Sequence, residues 1–139
     1  MFLNSLSHQD KEYFLELAHY IMGIDGIFHE EEQNIFNSYK YECQMVDYEV
    51  PKQNNVQQII EYFKQSSDQI KRILIIELFG IALVDGKFCE SEQKFFHELA
   101  EHFGIDENDL NTFHKWVTTM NQVVDVGYKL INQQNSMEK

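Results

Sequence analysis

The sequence predicts an all-α fold: a single compact domain of about six or seven helices with an internal pseudo-two-fold repeat. Three observations carry this. The chain has one Pro and six Gly in 139 residues, and no stretch alternates apolar and polar residues as a half-buried strand would. Apolar residues recur at three- and four-residue spacing along most of its length. Finally, Ile21-Met-Gly-Ile-Asp25-Gly26-Ile-Phe28-His29-Glu30-Glu-Glu32-Gln33-Asn-Ile-Phe36 returns without a gap as Ile81-Ala-Leu-Val-Asp85-Gly86-Lys-Phe88-Cys89-Glu90-Ser-Glu92-Gln93-Lys-Phe-Phe96, with about half of the paired positions identical. The whole chain, 1–139, reads as one domain. Its repeat units cover about 8–44 and 68–104, a C-terminal helical segment covers about 106–132, and a polar, frayed tail covers 133–139.

Ser7 is the expected N-cap of the first helix, with Phe14, Leu17, Ala18 and Ile21 on one face. This helix should end near Asp25-Gly26, where Gly supplies the left-handed residue. A second helix begins near His29 or Glu30 and carries Ile35, Phe36, Tyr39 and Cys43 on its apolar side. Gln44 to Lys52 is a linker, and Pro51 suits the first turn of a third helix over about 53–65, with Val56, Ile59, Ile60 and Phe63 inward. Ser66-Ser67-Asp68 breaks the chain and caps a fourth helix reaching about Asp85. That helix is apolar almost all round, which marks it as the buried central one. A fifth helix over about 90–103 turns Phe95, Phe96, Leu99, Ala100 and Phe103 inward and stops at Gly104. Asp106 and Asp109 open a sixth in a capping-box-like arrangement. Two courses are open to it: on to Ile131, or a break near Asp125-Val-Gly127.

Composition restricts function. Apolar residues make up 43% of the chain, with eleven Phe and seven Tyr, which argues against disorder. A formal charge of −12 repels phosphate backbones and argues against nucleic acid, while it favours cations and basic partners. Cys43 and Cys89 form neither a C-x-x-C motif nor a disulfide framework. The first residues show no signal-peptide pattern, and the longest apolar stretch, Ile73 to Val84, is broken by Glu77 and too short to span a bilayer. A cytoplasmic protein without membrane insertion is expected. No nucleophile elbow, Gly-rich phosphate loop or zincin motif is present, so no enzymatic activity is expected.

The chemistry gathers at the repeated turns. Asp25 and Asp85 stand at helix C-termini, where the macrodipole disfavours a carboxylate by about 0.3–1 kcal/mol. Amides of the following helix can compensate, and so can a bound cation. Glu32 and Glu92 fall at the third helical position if His29 and Cys89 are the N-caps, within reach of the cap amide. Asp25, Glu32, Asp85 and Glu92 are therefore candidate oxygen ligands for Ca²⁺ or Mg²⁺, although a turn Asp more commonly serves its own backbone, and the EF-hand ladder of oxygens is missing. His29 and Cys89 occupy equivalent positions and are a two-ligand nucleus for a softer metal, short of the three or four such a site needs. Phe28 and Phe88 should anchor each turn in the core. Phe113, Trp116, Val117, Met120 and Val124 form an apolar stripe that fits core packing, or alternatively a partner helix.

At these doubled Asp-Gly turns the sequence resembles the TerB-like family of tellurite-resistance proteins and the related N-terminal domain of the DjlA co-chaperone. The residues involved are Ile24-Asp25-Gly26-Ile-Phe28 through Glu32, Ile81-Ala82-Leu-Val-Asp85-Gly86-Lys-Phe88 through Glu92, and Leu99 to Ile105, within roughly 8–120. His29 and Cys89 stand where Ser is common in the family, and Met22-Gly23 where Ala is common. The resemblance implies an all-α fold and a stress-response or tellurite-resistance association, with divalent-metal binding at the acidic turns. It implies no catalytic activity. The alternative is a protein–protein interaction module in which the turns are purely structural and an unidentified protein partner engages the acidic surface or the Trp116 stripe.

Overall fold

The computed structural model describes residues 1–24, 26–27, 29–50, 55–84 and 86–132. After a 3₁₀ turn at Leu3–Ser5 come six α-helices: α1 (His8–Met22), α2 (Glu30–Glu42), α3 (Val56–Lys64), α4 (Asp68–Ala82), α5 (Glu90–Phe103) and α6 (Glu107–Asn132). No strand occurs among the described residues, as the sequence predicts. Pro51 and the expected start of the third helix at Gln53 lie outside them.

α1, α3, α4 and α6 each begin where a side chain accepts from a free backbone amide, whereas no side-chain cap bond is made by His29 at the start of α2. The Ser7 hydroxyl accepts from the Asp10 amide at 3.1 Å and the Ser67 hydroxyl from the Ile70 amide at 3.2 Å, so α1 and α4 carry the same cap. Asn55 caps α3 through the Gln58 amide at 3.0 Å, and Asp106 caps α6 through the Asp109 amide at 2.8 Å. Gly104 ends α5 in the left-handed region at φ 69°, a conformation that costs a residue with a Cβ about 1–2 kcal/mol.

The helix bounds recur along the chain. α1 and α4 are both 15 residues long, and α2 and α5 start at Glu30 and Glu90 after extended residues His29 and Cys89. Gly26 and Gly86 take φ 79° and 76° in the two intervening turns.

α4 is central, packing against α1, α2, α5, α6 and the N-terminal turn. It buries Ile73, Leu74, Ile75, Leu78, Phe79, Ile81 and Ala82. On one side Phe79 stacks on Phe96 of α5, with centroids 4.1 Å apart and planes 3° from parallel. On another the Tyr39 hydroxyl donates to the Glu77 carbonyl at 2.6 Å, fastening α2 to α4. That approach runs over Gly80, where any Cβ would collide with the Tyr39 hydroxyl.

Two expectations change, and α6 takes one of its two open courses. α4 ends at Ala82, short of Asp85, because the turn containing Gly86 begins there. α6 is one continuous helix of 26 residues, passing Gly127 without a break. Its stripe is divided. Val117 is buried, but Trp116, beside it, is 44% exposed, and Val124, farther along α6, is 49% exposed. Trp116 therefore belongs to the surface, where its ring lies 6.1 Å from that of Phe2.

Candidate functional site: two acidic turns and an adjoining groove

The two turns lead from α1 into α2 and from α4 into α5. In the first, the Gly26 amide donates to the Gly23 carbonyl at 3.0 Å; in the second, the Gly86 amide donates to the Leu83 carbonyl at 3.1 Å. Both glycines have φ near +80°, a backbone conformation that the sequence anticipated by placing Gly after Asp.

Of the four candidate ligands, Glu32 and Glu92 lie in the first turns of α2 and α5, only 4% and 5% exposed. Glu92 Oε1 accepts from the Cys89 amide at 3.1 Å, which is the returning half of the predicted capping box. The positive end of the helix dipole favours both carboxylates there. Asp25 and Asp85, and the Phe28 anchor, lie outside the described residues. Among the described residues no group of three or more His, Cys, Asp or Glu side chains is arranged to hold a metal ion, so His29 and Cys89 are not part of such a cluster.

A full set would be four carboxylates, hard oxygen donors suited to Ca²⁺ or Mg²⁺ rather than to a soft metal. The deep burial of Glu32 and Glu92 is compatible with that use. A carboxylate has two oxygens and about four lone-pair sites, enough for a cap amide and a cation together.

Phe88 is only half-buried, so it is a less complete anchor than expected. Its ring lies 5.9 Å from Phe79, 5.7 Å from Phe96 and 5.0 Å from His114 of α6, which also stacks on Phe79 at 5.3 Å. The exposed side of Phe88 faces a groove of about 710 Å³ whose walls include Ile35 of α2, Leu83 and Val84 of the second turn, and His114, Val124 and Tyr128 of α6. In the sequence the trace of this groove is Val124, the end of the α6 stripe that fits core packing or alternatively a partner helix; its walls from α2 and the second turn had no sequence signal.

Three other titratable groups serve the packing of the helices. Cys43 is buried as expected, and burial chiefly pushes its thiol up to about 11, which makes it a poor nucleophile. His97 pairs with Glu107 of α6 at 2.8 Å rather than with Glu101 on its own helix. Arg72 bridges Asp68 at 2.7 Å and Asp109 at 2.9 Å, joining the start of α4 to that of α6.

Among the described residues these features define an all-α arrangement of six helices around central α4, with turns leading from α1 into α2 and from α4 into α5. The family model described as "Tellurite resistance protein TerB" matches residues 4–115, and the chain belongs to that family. No curated protein and no solved structure matches the chain. No helix among the described residues is long and apolar enough to cross a membrane.

Proposed function

We propose that this TerB-family protein is a non-catalytic binding module of a cytoplasmic tellurite- or stress-response system, and that its two acidic turns hold a divalent cation through Asp25, Glu32, Asp85 and Glu92. The observation that carries this reading is the burial of two equivalent carboxylates, Glu32 and Glu92, each just after an Asp-Gly turn. A capping Glu normally sits at the surface, where water solvates it at no cost. A buried carboxylate needs strong compensation. Helix-start amides supply such compensation, and a hard cation shared with Asp25 and Asp85 would add to it. The chain has 23 acidic against 11 basic residues, so Lys and Arg are scarce as counter-ions.

The test is a thermal-unfolding series in EDTA, Ca²⁺ and Mg²⁺. Binding predicts a melting temperature that rises with cation concentration, by the linkage between ligand and folded state. Asp25→Asn with Asp85→Asn should abolish the rise while the helical circular dichroism persists. Equal melting temperatures in EDTA and in millimolar cation would reject the site.

The groove beside Phe88 favours a second reading, the interaction module with structural turns. Its apolar walls and the exposed Val124 and Tyr128 suit a protein segment better than a metal. Under that reading Val124→Asp or Tyr128→Asp weakens partner binding and leaves the cation response as it was.

A further inference from the structure

α6 carries a second apolar line, apart from the residues it buries against the body. Phe113, Trp116, Met120, Val123, Gly127 and Leu130 follow one another at alternating three- and four-residue steps, the spacing by which one helix meets another along a seam. Phe113 packs partly on the core, whereas Trp116, Val123 and Leu130 are exposed, the last two by 64% and 65%. The positions flanking the seam, Thr112, Val117, Thr119, Val124, Val126 and Ile131, are uncharged as well. The stretch 110–131 holds Lys115, Lys129 and Asp125, against 11 basic and 23 acidic residues in the whole chain. Lys129 and Asp125 pair with each other at 3.1 Å, on the side of α6 away from the seam. Gly127 lies inside the helix, where Gly is less stable than Ala, and a Cβ there would meet no other group within 4 Å.

We propose that α6 pairs antiparallel with α6 of a second copy of this chain, the Trp116 side chain of each filling the gap at Gly127 of the other. About a two-fold axis between Asn121 and Gln122, position 116 meets position 127 of the other copy, 120 meets 123, and 113 meets 130. All six seam residues are then matched, and the indole stands opposite the one seam position without a side chain. The patch is complementary to itself, as a two-fold interface requires. Charge selects the occupant. Two copies of a chain with a formal charge of −12 repel each other over most of their surface, and least across this uncharged seam. A strongly basic or acidic partner would find no counter-charge on it. Parallel pairing would set Gly127 against Gly127, leaving a void in the seam, and bring two acidic bodies side by side. The antiparallel course sends the bodies to opposite ends of the pair. At 1.5 Å per residue the seam from Phe113 to Leu130 is about 25 Å long. That is short for a specific interface, so the pair associates weakly, in the micromolar range. The pairing uses neither the acidic turns nor the groove beside Phe88, which α6 lines chiefly with other residues.

The test is sedimentation equilibrium of the purified chain from about 1 to about 500 μM. The chain should pass from monomer to dimer and no further, because a two-fold interface closes on itself. Val123→Asp puts a charge in the middle of the seam. It should leave a monomer at every concentration with unchanged helical circular dichroism, since Val123 is exposed in the single chain. Tyr128→Asp, which alters the groove beside Phe88 and not the seam, should leave the dimer as it was. Gly127→Leu should weaken association by about tenfold or more, because the new side chain takes the place of Trp116 from the other copy, even though Leu suits the helix better than Gly. A chain that stays monomeric throughout would overturn the proposal and leave the seam to a helix of a different protein. A dimer that survives Val123→Asp, or is lost in Tyr128→Asp, would overturn it in favour of the groove. Tighter association in Gly127→Leu would overturn it in favour of parallel pairing.

Discussion

Replacing Gly80 by Ala gives the sharpest test of the packing, because two physical effects push stability in opposite directions. Gly80 lies inside α4, and helix propensity alone predicts that Ala stabilises the helix by about 0.5–1 kcal/mol. The structure predicts the reverse. A Cβ at position 80 would collide with the hydroxyl of Tyr39, and its ring carbon Cζ would lie 3.7 Å away. Tyr39 cannot swing clear. It is buried, its ring is 5.3 Å from Phe14, and its hydroxyl is held by the Glu77 carbonyl at 2.6 Å. Displacing it leaves a buried hydroxyl unpaired, at about 1–3 kcal/mol, and overpacks the α2–α4 contact, at a further 1–3 kcal/mol. After the propensity gain is subtracted, Gly80→Ala should destabilise by about 1–5 kcal/mol. Urea unfolding followed by circular dichroism at 222 nm measures this. A double-mutant cycle isolates the cause: introduced together with Tyr39→Phe, which removes the colliding oxygen, Gly80→Ala should become neutral or stabilising. Stabilisation of about 1 kcal/mol in the wild-type background would refute the close approach of Tyr39 to α4.

Phe79→Ala should cost about 3–5 kcal/mol, since the ring is buried and stacked, whereas Phe88→Ala should cost clearly less because Phe88 is half-exposed to the groove; equal losses in chemical denaturation would contradict that distinction. Ser67→Ala should cost about 1 kcal/mol through loss of the α4 cap, and Ser7→Ala a similar amount in α1, read from denaturation midpoints.

Much of the fold was legible because its signals are local. Ser7, Ser67 and Asp106 cap the helices they precede, Gly104 ends α5, and Gly86 follows its Asp in a left-handed turn. Each of these depends on residues within a turn of one another. The apolar circumference of Ile73 to Ala82 likewise implies a helix surrounded by others. Burial along α6 was less legible, because helical periodicity says which residues share a face but not where the opposing surface stops. Trp116 and Val124 lie on a stripe with buried Val117, yet beside or beyond its cover. At the acidic turns, the position of Glu92 in a capping box could be read from the sequence. The burial of Glu32 and Glu92 to 4% and 5% could not.

The central claim, that the two turns share a divalent cation, is tested most directly by counting the cations bound. Equilibrium dialysis of the purified chain against Ca²⁺ and against Mg²⁺, with bound metal determined by elemental analysis, should give one cation per chain. Asp25→Asn alone and Asp85→Asn alone should each remove it, since both turns contribute ligands. No binding above that of a denatured control, or binding that survives either substitution, would contradict the account.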